Sequence, residues 1–154
     1  MIALRAANTD DCDLLFNWVN QPDSLRNKSR TTGPIPYNAH TEWYSQALHN
    51  SQYYLWIIEE NREAAGQMRF SPQPEGFEVD IYIAGAFRKR NLAVTALSMG
   101  VREVCGAHAG KTLIAYIKED NLASRKLFER AGFSLLQDAN PLKVYRLTID
   151  KGED

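Results

Sequence analysis

The stretch from Glu78 to Ala93, EVDIYIAGAFRKRNLA, constrains the chain more than any other. Val79, Ile81 and Ile83 alternate with Glu78, Asp80 and Tyr82, the period-two pattern of a strand with one apolar face. Gly85 interrupts it, and a lone glycine there marks a bulge or a close backbone approach. Arg88, Lys89 and Arg90 follow, and then Leu92, Ala96, Leu97, Val101 and Val104 recur at helical spacing. Three cations thus stand where a helix begins. Free N–H groups and the positive end of the helix dipole lie at the same place, so the segment suits an anion, most naturally a phosphate. A solvated basic turn is the competing reading of the cations alone. The strand before them and the helix after them weigh against it.

RKRNLA resembles the pyrophosphate loop of the GNAT superfamily of acetyl-CoA-dependent N-acetyltransferases: Gln or Arg, two residues, Gly, one residue, then Gly or Ala. Arg88 and Ala93 match, and Asn91 stands where Gly is usual. Asn is among the few residues with a side chain that tolerate positive φ. A second segment, Asn121 to Phe133 (NLASRKLFERAGF), resembles the family's Asn-x-x-Ala/Ser…Leu-Tyr-x-Lys-x-Gly-Phe. The two motifs come in the family's order, with room for one helix and one strand between them.

The order of elements read along the chain agrees. A strand is expected over 2–6, with Asn8, Thr9 and Asp10 as caps for a helix whose apolar face is Leu14, Leu15, Trp18 and Val19. Gln21-Pro22-Asp23 ends that helix. Ser24 to Tyr37 is a polar loop with one helical turn near Leu25, and Asn38 caps a helix over 39–49. Strands over 53–59 and 64–70 precede a turn at 71–76. After the central segment come a helix to about Gly106, a strand over 113–117, a helix over 123–131 and strands over 133–136 and 144–149. The resemblance implies an α+β fold: a mixed, mostly antiparallel seven-stranded sheet with four helices, splayed between its central strands, as one acyl-CoA N-acyltransferase domain over residues 1–150.

At 154 residues the chain fits one domain with a real core. A net charge of −1 gives no global field toward nucleic acid or an anionic membrane. Cys12 and Cys105 form no disulfide framework and no metal spacing, so both read as small buried apolar groups in a reducing compartment. The N-terminus lacks the apolar core of a signal peptide and no run reaches membrane-spanning length, which points to the cytoplasm.

The resemblance assigns the site. Backbone amides from Arg88 through Lys89, Arg90, Asn91 and Leu92 to Ala93 would hold the diphosphate of acetyl-CoA, with the cationic side chains adding attraction. Peptide groups around Tyr82, Ile83 and Ala84 would hold the pantetheine arm as an added strand does, and one N–H there would polarise the thioester carbonyl. Asn121 stands where an amide bonds that arm, or is simply a helix cap. Phe128 replaces a tyrosine that protonates the departing thiolate in many members. It keeps a packing role, and Tyr82, Tyr116, Tyr37 or no acid at all serves instead. Arg130 faces phosphate or is a surface cation. The acceptor amine must be neutral to attack, so a base is needed on the polar face of the central strand. Asp80 is the first candidate and Glu78 the second, with Tyr82 hydrogen-bonding the substrate; all three are otherwise solvent-facing sheet residues.

The N-terminal third carries a polar and aromatic set: Trp18, Asn20, Arg26, Ser29, His40, Glu42 and Trp43. Together with Gly66-Gln-Met-Arg69-Phe70 it resembles the GNAT subgroup that acetylates nucleotide-linked amino sugars, as in pseudaminic acid synthesis. Aromatic faces and an Arg suit a sugar diphosphate. Core packing is the plainer reading of the two tryptophans. His40 is a packing residue or a reserve base. The implied reaction is direct acetyl transfer from acetyl-CoA to a small-molecule amine, most naturally a nucleotide sugar, in a protein that pairs as a homodimer through its C-terminal strands. Two alternatives stand beside it: an acetyltransferase of protein N-termini of the ribosomal-protein type, and an acyl-CoA-binding module without turnover, which Asn91 and Phe128 would favour.

Overall fold

A computed structural model describes residues 1–27, 33–88, 91–108, 110–138 and 142–148. Seven strands form one sheet: β1 (Ile2–Ala6), β2 (Tyr54–Glu60), β3 (Glu63–Gln73), β4 (Gly76–Ile83), β5 (Thr112–Lys118), β6 (Ser134–Asp138) and β7 (Leu142–Thr148). Their order is β1-β2-β3-β4-β5-β7-β6, and every neighbouring pair is antiparallel except β4 and β5. The α-helices among the described residues are α1 (Cys12–Val19), α2 (Pro22–Arg26), α3 (Tyr37–His49), α4 (Leu92–Cys105) and α5 (Leu122–Arg130).

The centre of the sheet is buried on both faces, and β2 shows why. Trp56 and Ile58 point into a core shared with Leu92, Ala96, Leu97 and Val104 of α4 and Phe128 of α5. The intervening Leu55 and Ile57 join Leu15 and Trp18 of α1 and Tyr44 and Ala47 of α3. Period two thus feeds two cores from one strand. The same alternation sends Met68 and Phe70 of β3 toward α4, and leaves Gln67 and Arg69 on the face of α1 and α3.

Between β4 and β5 the pairing covers only Gly76 with Thr112, Phe77 with Leu113 and Glu78 with Ile114. The strands cross so closely at their start that a Cβ on Gly76 would lie 1.8 Å from the Thr112 carbonyl oxygen. Beyond Glu78 they part, and residues 79–83 keep β3 as their only strand partner. The splay implied by the motif is therefore present in the middle of the sheet.

Several local expectations are corrected. α1 ends at Val19, just ahead of the expected stop at 21–23, and Pro22 in addition opens α2, where its fixed φ and missing N–H suit the first turn. That short helix is the helical turn expected near Leu25, beside the four longer helices of the expected fold. Asn38 does not cap α3, which starts at Tyr37 behind an extended Pro36. β3 runs on to Gln73 instead of turning at Ser71, pairing Ser71, Pro72 and Gln73 with Glu78, Phe77 and Gly76. No bulge accompanies Gly85: the β3–β4 register is unbroken to Ile83, and residues 85–87 make a 3-10 turn. Register shifts lie elsewhere, between Ile58 and Glu59 of β2 and between Leu135 and Gln137 of β6. Cys12 and Cys105 are half-buried rather than buried. No helix among the described residues is long and apolar enough to cross a membrane, and no described cluster of His, Cys, Asp and Glu could hold a metal ion.

Candidate active site

A cavity of about 730 Å³ occupies the gap between β4 and β5 and continues to the face of α1 and α3. On one side Asn91, Leu92 and Ala93 line it. Asn91 has φ 58° and ψ 15°, a left-handed conformation that Asn tolerates in place of Gly. Placed just before α4, it turns the chain so that the first-turn amides, which have no acceptor within the helix, face outward together. Arg130 reaches over from α5 and donates from Nη1 to Asn91 Oδ1 at 3.2 Å, so a cation from another helix stands at this helix start. Lys89 and Arg90 lie outside the described residues.

Arg88 is aimed differently from its expected phosphate role. Its Nε donates to the Ile83 carbonyl at 2.8 Å, its Nη2 is paired with Asp23 of α2, and its guanidinium lies 5.4 Å from the Tyr82 ring centre. The carbonyl and the carboxylate are nearer partners than open solvent, and they draw the side chain to the acceptor side. Burial pushes the Asp23 carboxyl up, but the Arg88 guanidinium and backbone N–H groups outweigh it and hold the group below the usual carboxylate range.

The edge of β4 that faces the gap follows from one hydrogen bond. The Ala84 N–H donates to Ala65 O at 2.8 Å. In an antiparallel pair the backbone groups of alternate residues face alternate sides. Tyr82 and Asp80 therefore bond β3 as Ala84 does, whereas Ile83 and Ile81 turn their N–H groups to the parted side. Of the three residues expected around the pantetheine arm, Ile83 offers its amide. Ala84 has spent its own and does not line the cavity.

Across the gap, Asn121 and Phe128 line the cavity, with Tyr116 on β5. Asn121 caps α5, its Oδ1 accepting from the Ser124 N–H at 3.2 Å. Phe128 is 3% exposed and meets Phe133 edge-on. Tyr37, one of the hydroxyls considered for the missing tyrosine, is excluded by position: it donates to Asp13 at 2.7 Å, is exposed, and lies off the cavity.

On the acceptor side the cavity gathers Trp18, Arg26, His40, Trp43, Arg69, Asp80 and Tyr82. Glu78 is not in the wall, which leaves Asp80 as the carboxylate of the central strand that faces the cavity. Asp80 Oδ2 accepts from Gln67 Nε2 at 2.9 Å and lies 3.7 Å from Arg69 Nη2. Burial, with the negative charge of Asp23 adding to it, pushes the Tyr82 phenol up, so it holds its proton at neutral pH. His40 is buried, with Nε2 2.9 Å from the Cys12 carbonyl oxygen and its ring stacked on Tyr44. Trp18 and Trp43 serve both readings, since each packs in the α1–α3 core and borders the cavity. Asn20 instead pins the backbone of Ile35 through two hydrogen bonds, Glu42 lies off the cavity, and Ser29 lies outside the described residues.

Three residues that matter here were not singled out from sequence. Gln67 alternates with Arg69 on β3, polar positions between the buried Gly66, Met68 and Phe70; that break in an apolar strand was a usable signal. Asp23 and Lys118 gave none. Lys118 Nζ donates to the Arg26 carbonyl at 2.6 Å. Since Arg88 follows β4 and Lys118 ends β5, α2 is tied to both banks of the parted strands.

These residues fit acetyl-CoA. Outward amides at a helix start suit a diphosphate, and an unpaired strand edge suits the amide-bearing arm. Solved structures share the whole architecture. A domain from Methanocaldococcus jannaschii superposes with a TM-score of 0.83 at 21% identity, over 96% of this chain and 97% of that one. A spermidine N-acetyltransferase from Vibrio cholerae, solved with CoA and spermine, gives 0.78 at 15% identity over 94% and 92%. The N-acetyltransferase PseH from Campylobacter jejuni, solved with acetyl-CoA, gives 0.72 at 14% identity over 96% and 99%. No curated protein matches the chain at a significant level. The family model described as an acetyltransferase (GNAT) domain matches residues 2–134. The chain therefore belongs to the GNAT acetyltransferase family and is an acetyl-CoA-dependent N-acetyltransferase.

Proposed function

We propose that the acceptor is the amino group of a nucleotide-linked amino sugar and that Asp80 takes its proton. The observation that carries this reading is the acceptor end of the cavity, where Trp18, Arg26, His40, Trp43 and Arg69 line the same cavity as Asp80, with Arg69 Nη2 3.7 Å from the Asp80 carboxylate. An aromatic, cationic pocket suits a sugar and its phosphates better than it suits an extended peptide.

Acetyl-CoA supplies the activated acetyl thioester. The amides of Asn91, Leu92 and Ala93 hold its diphosphate, and the Ile83 N–H is aimed at the carbonyl whose oxygen gains charge during attack. Asp80 sits on the opposite edge of the same strand segment. Gln67 orients its carboxylate, which takes the proton of the incoming ammonium. The Tyr82 and Tyr116 hydroxyls border the cavity in place of the family's missing tyrosine. Either needs to do little, since a thiol of pKa about 8.5 departs readily as thiolate. Neither Cys12 nor Cys105 lines the cavity, which favours direct attack over an acyl-enzyme. The edge strand β6 leaves Leu135 and Leu136 exposed, and the homodimer suggested by the resemblance would use this edge.

The test is thiol release from acetyl-CoA with a nucleotide-linked amino sugar, spermidine and an N-terminal peptide as acceptors. The nucleotide sugar should give the highest kcat/KM, and Asp80→Asn should lower kcat about 100-fold or more while leaving CoA affinity in place. Preference for the peptide or the polyamine would replace the substrate class. Unchanged turnover in Asp80→Asn would remove its role.

A further inference from the structure

We propose that Arg69 is the docking point for an oxyanion carried by the acceptor, seated within a short reach of the reacting amine. The proposal rests on the reading that the acceptor occupies this end of the cavity beside Asp80.

Arg69 lies on β3 directly opposite Asp80, and its side chain is 23% exposed. A guanidinium presents five N–H donors. None of them makes a hydrogen bond among the described residues. The nearest carboxylate oxygen, on Asp80, is 3.7 Å from Nη2, and that oxygen is already taken by Gln67 at 2.9 Å. Nε is buried with no partner, and it is the one side-chain nitrogen or oxygen in that state among the described residues. Arginines in structural ion pairs instead make short, often bidentate bonds of about 2.8 Å. The side chain is nonetheless held, because its guanidinium carbon stands 5.3 Å from the centre of the Trp43 ring. A positioned cation with unused donors, set in the wall of a binding cavity, is arranged to receive an anion.

The geometry also bounds the acceptor. Nε is shielded, so an oxyanion entering from the cavity meets the terminal amino groups first. If the amine bonds Asp80 while the oxyanion bonds Arg69, the two groups of one acceptor lie within about 9 Å, the reach of two charge-assisted hydrogen bonds across the 3.7 Å gap. The first phosphate of a sugar nucleotide meets that limit, and so does the carboxylate of an amino acid. A simple polyamine has no group for the site.

Calorimetry on the CoA-loaded protein separates the sources, because CoA fills the diphosphate site and leaves the acceptor end to the probe. UDP and L-glutamate are the two probes. One of them should bind, and Arg69→Gln should weaken it about 10- to 100-fold, the worth of a charge-assisted pair. Arg69→Lys keeps the charge without the fork and should recover only part of the loss. It also serves as the second variant if Arg69→Gln folds poorly, with CoA affinity and thermal midpoint as the controls. The KM of an anionic amine should rise more than its kcat falls. Loss confined to glutamate would keep the Arg69 site and overturn the nucleotide reading. UDP binding that both variants leave unchanged would overturn the Arg69 site and keep the nucleotide reading. Failure of both probes to bind the wild type at millimolar concentration would overturn the site.

Discussion

Replacing Asn91 tests whether the left-handed turn before α4 is what assembles the diphosphate site. At φ 58° the backbone is where a Cβ meets the following carbonyl, at a cost of about 1–2 kcal/mol for an ordinary residue. Asn tolerates this region better than most residues with a side chain, and here its Oδ1 also accepts from Arg130 of α5. Asn91→Ala should therefore cost about 1 kcal/mol, and the cost has two places to appear. If the variant loop keeps the turn, the loss falls on stability, about 2–4 °C in Tm for a chain of this size. If the unliganded loop relaxes away from the turn, the loss is levied when CoA binds, as roughly a fivefold weaker Kd. The two losses together should sum to the same free energy. Asn91→Gly adopts the turn without strain and should restore CoA affinity to within about twofold of wild type, with a small entropic loss in stability. Thermal unfolding and CoA calorimetry on the three proteins measure both parts. An alanine variant unchanged in both Tm and Kd would show that the turn does not order the amides, and the site would need another basis.

Gly76→Ala should destabilise by about 3 kcal/mol, because its Cβ would sit 1.8 Å from the Thr112 backbone oxygen and the strands must separate where they should touch; the urea midpoint reads this. Asp23→Asn removes one tie of α2 and should raise acceptor KM about three- to fivefold, in keeping with a partly exposed ion pair, while CoA Kd stays within about twofold. Acid should destabilise the fold through Asp11 and Asp23. For Asp11 burial works upward, but Arg5 and the Asn8 N–H outweigh it, so both carboxyls are held below their ordinary 3.8. The unfolded chain then binds more protons, so their contribution is complete above about pH 5 and lost as pH falls below 4, and Asp23→Asn should flatten that limb in urea titrations. Tyr82→Phe, set against Tyr116→Phe, should show which hydroxyl serves the departing thiolate, as a drop in kcat of about tenfold in one of the two.

What could be read from sequence divides by how local the cause was. The strand, loop and helix around Glu78 to Ala93 were legible because period two, a residue tolerant of positive φ and period 3.6 are each written in consecutive residues. Trp18, Arg26, His40, Trp43 and Arg69 could be nominated as a set, yet nothing in their spacing told which would meet Asp80. Arg88 shows why the rest was hidden. Read in its loop it belongs with the phosphates, but its strongest partner is Asp23, sixty-five positions earlier, and no local pattern encodes that pairing. Pro22 was legible for half of its role: α1 ends just before it, but the helical turn expected near Leu25 already begins at it. The same residue that ends a helix also begins one, and only the tertiary anchors on Asp23 and the Arg26 carbonyl decide for a new helix.

The two edges and two faces of β4 divide the chemistry among them. Toward β5 its unpaired amides, from Ile81 and Ile83, meet the parted gap. Toward β3 its pairing fixes Asp80 against Arg69 and Tyr82 against Gln67. Its side chains alternate between a core under α4 and the acceptor pocket under α1 and α3. A rotation of this strand about its axis would therefore misplace the Ile83 N–H and the proposed base Asp80 together. That coupling explains why its fixed points lie at its two ends, Gly76 locked against Thr112 and Ile83 held by Arg88. It also explains the ties from Arg88 and Lys118 to α2. A short helix anchored to both banks of the gap keeps the spacing between donor and acceptor sites constant while the strands between them stay unpaired.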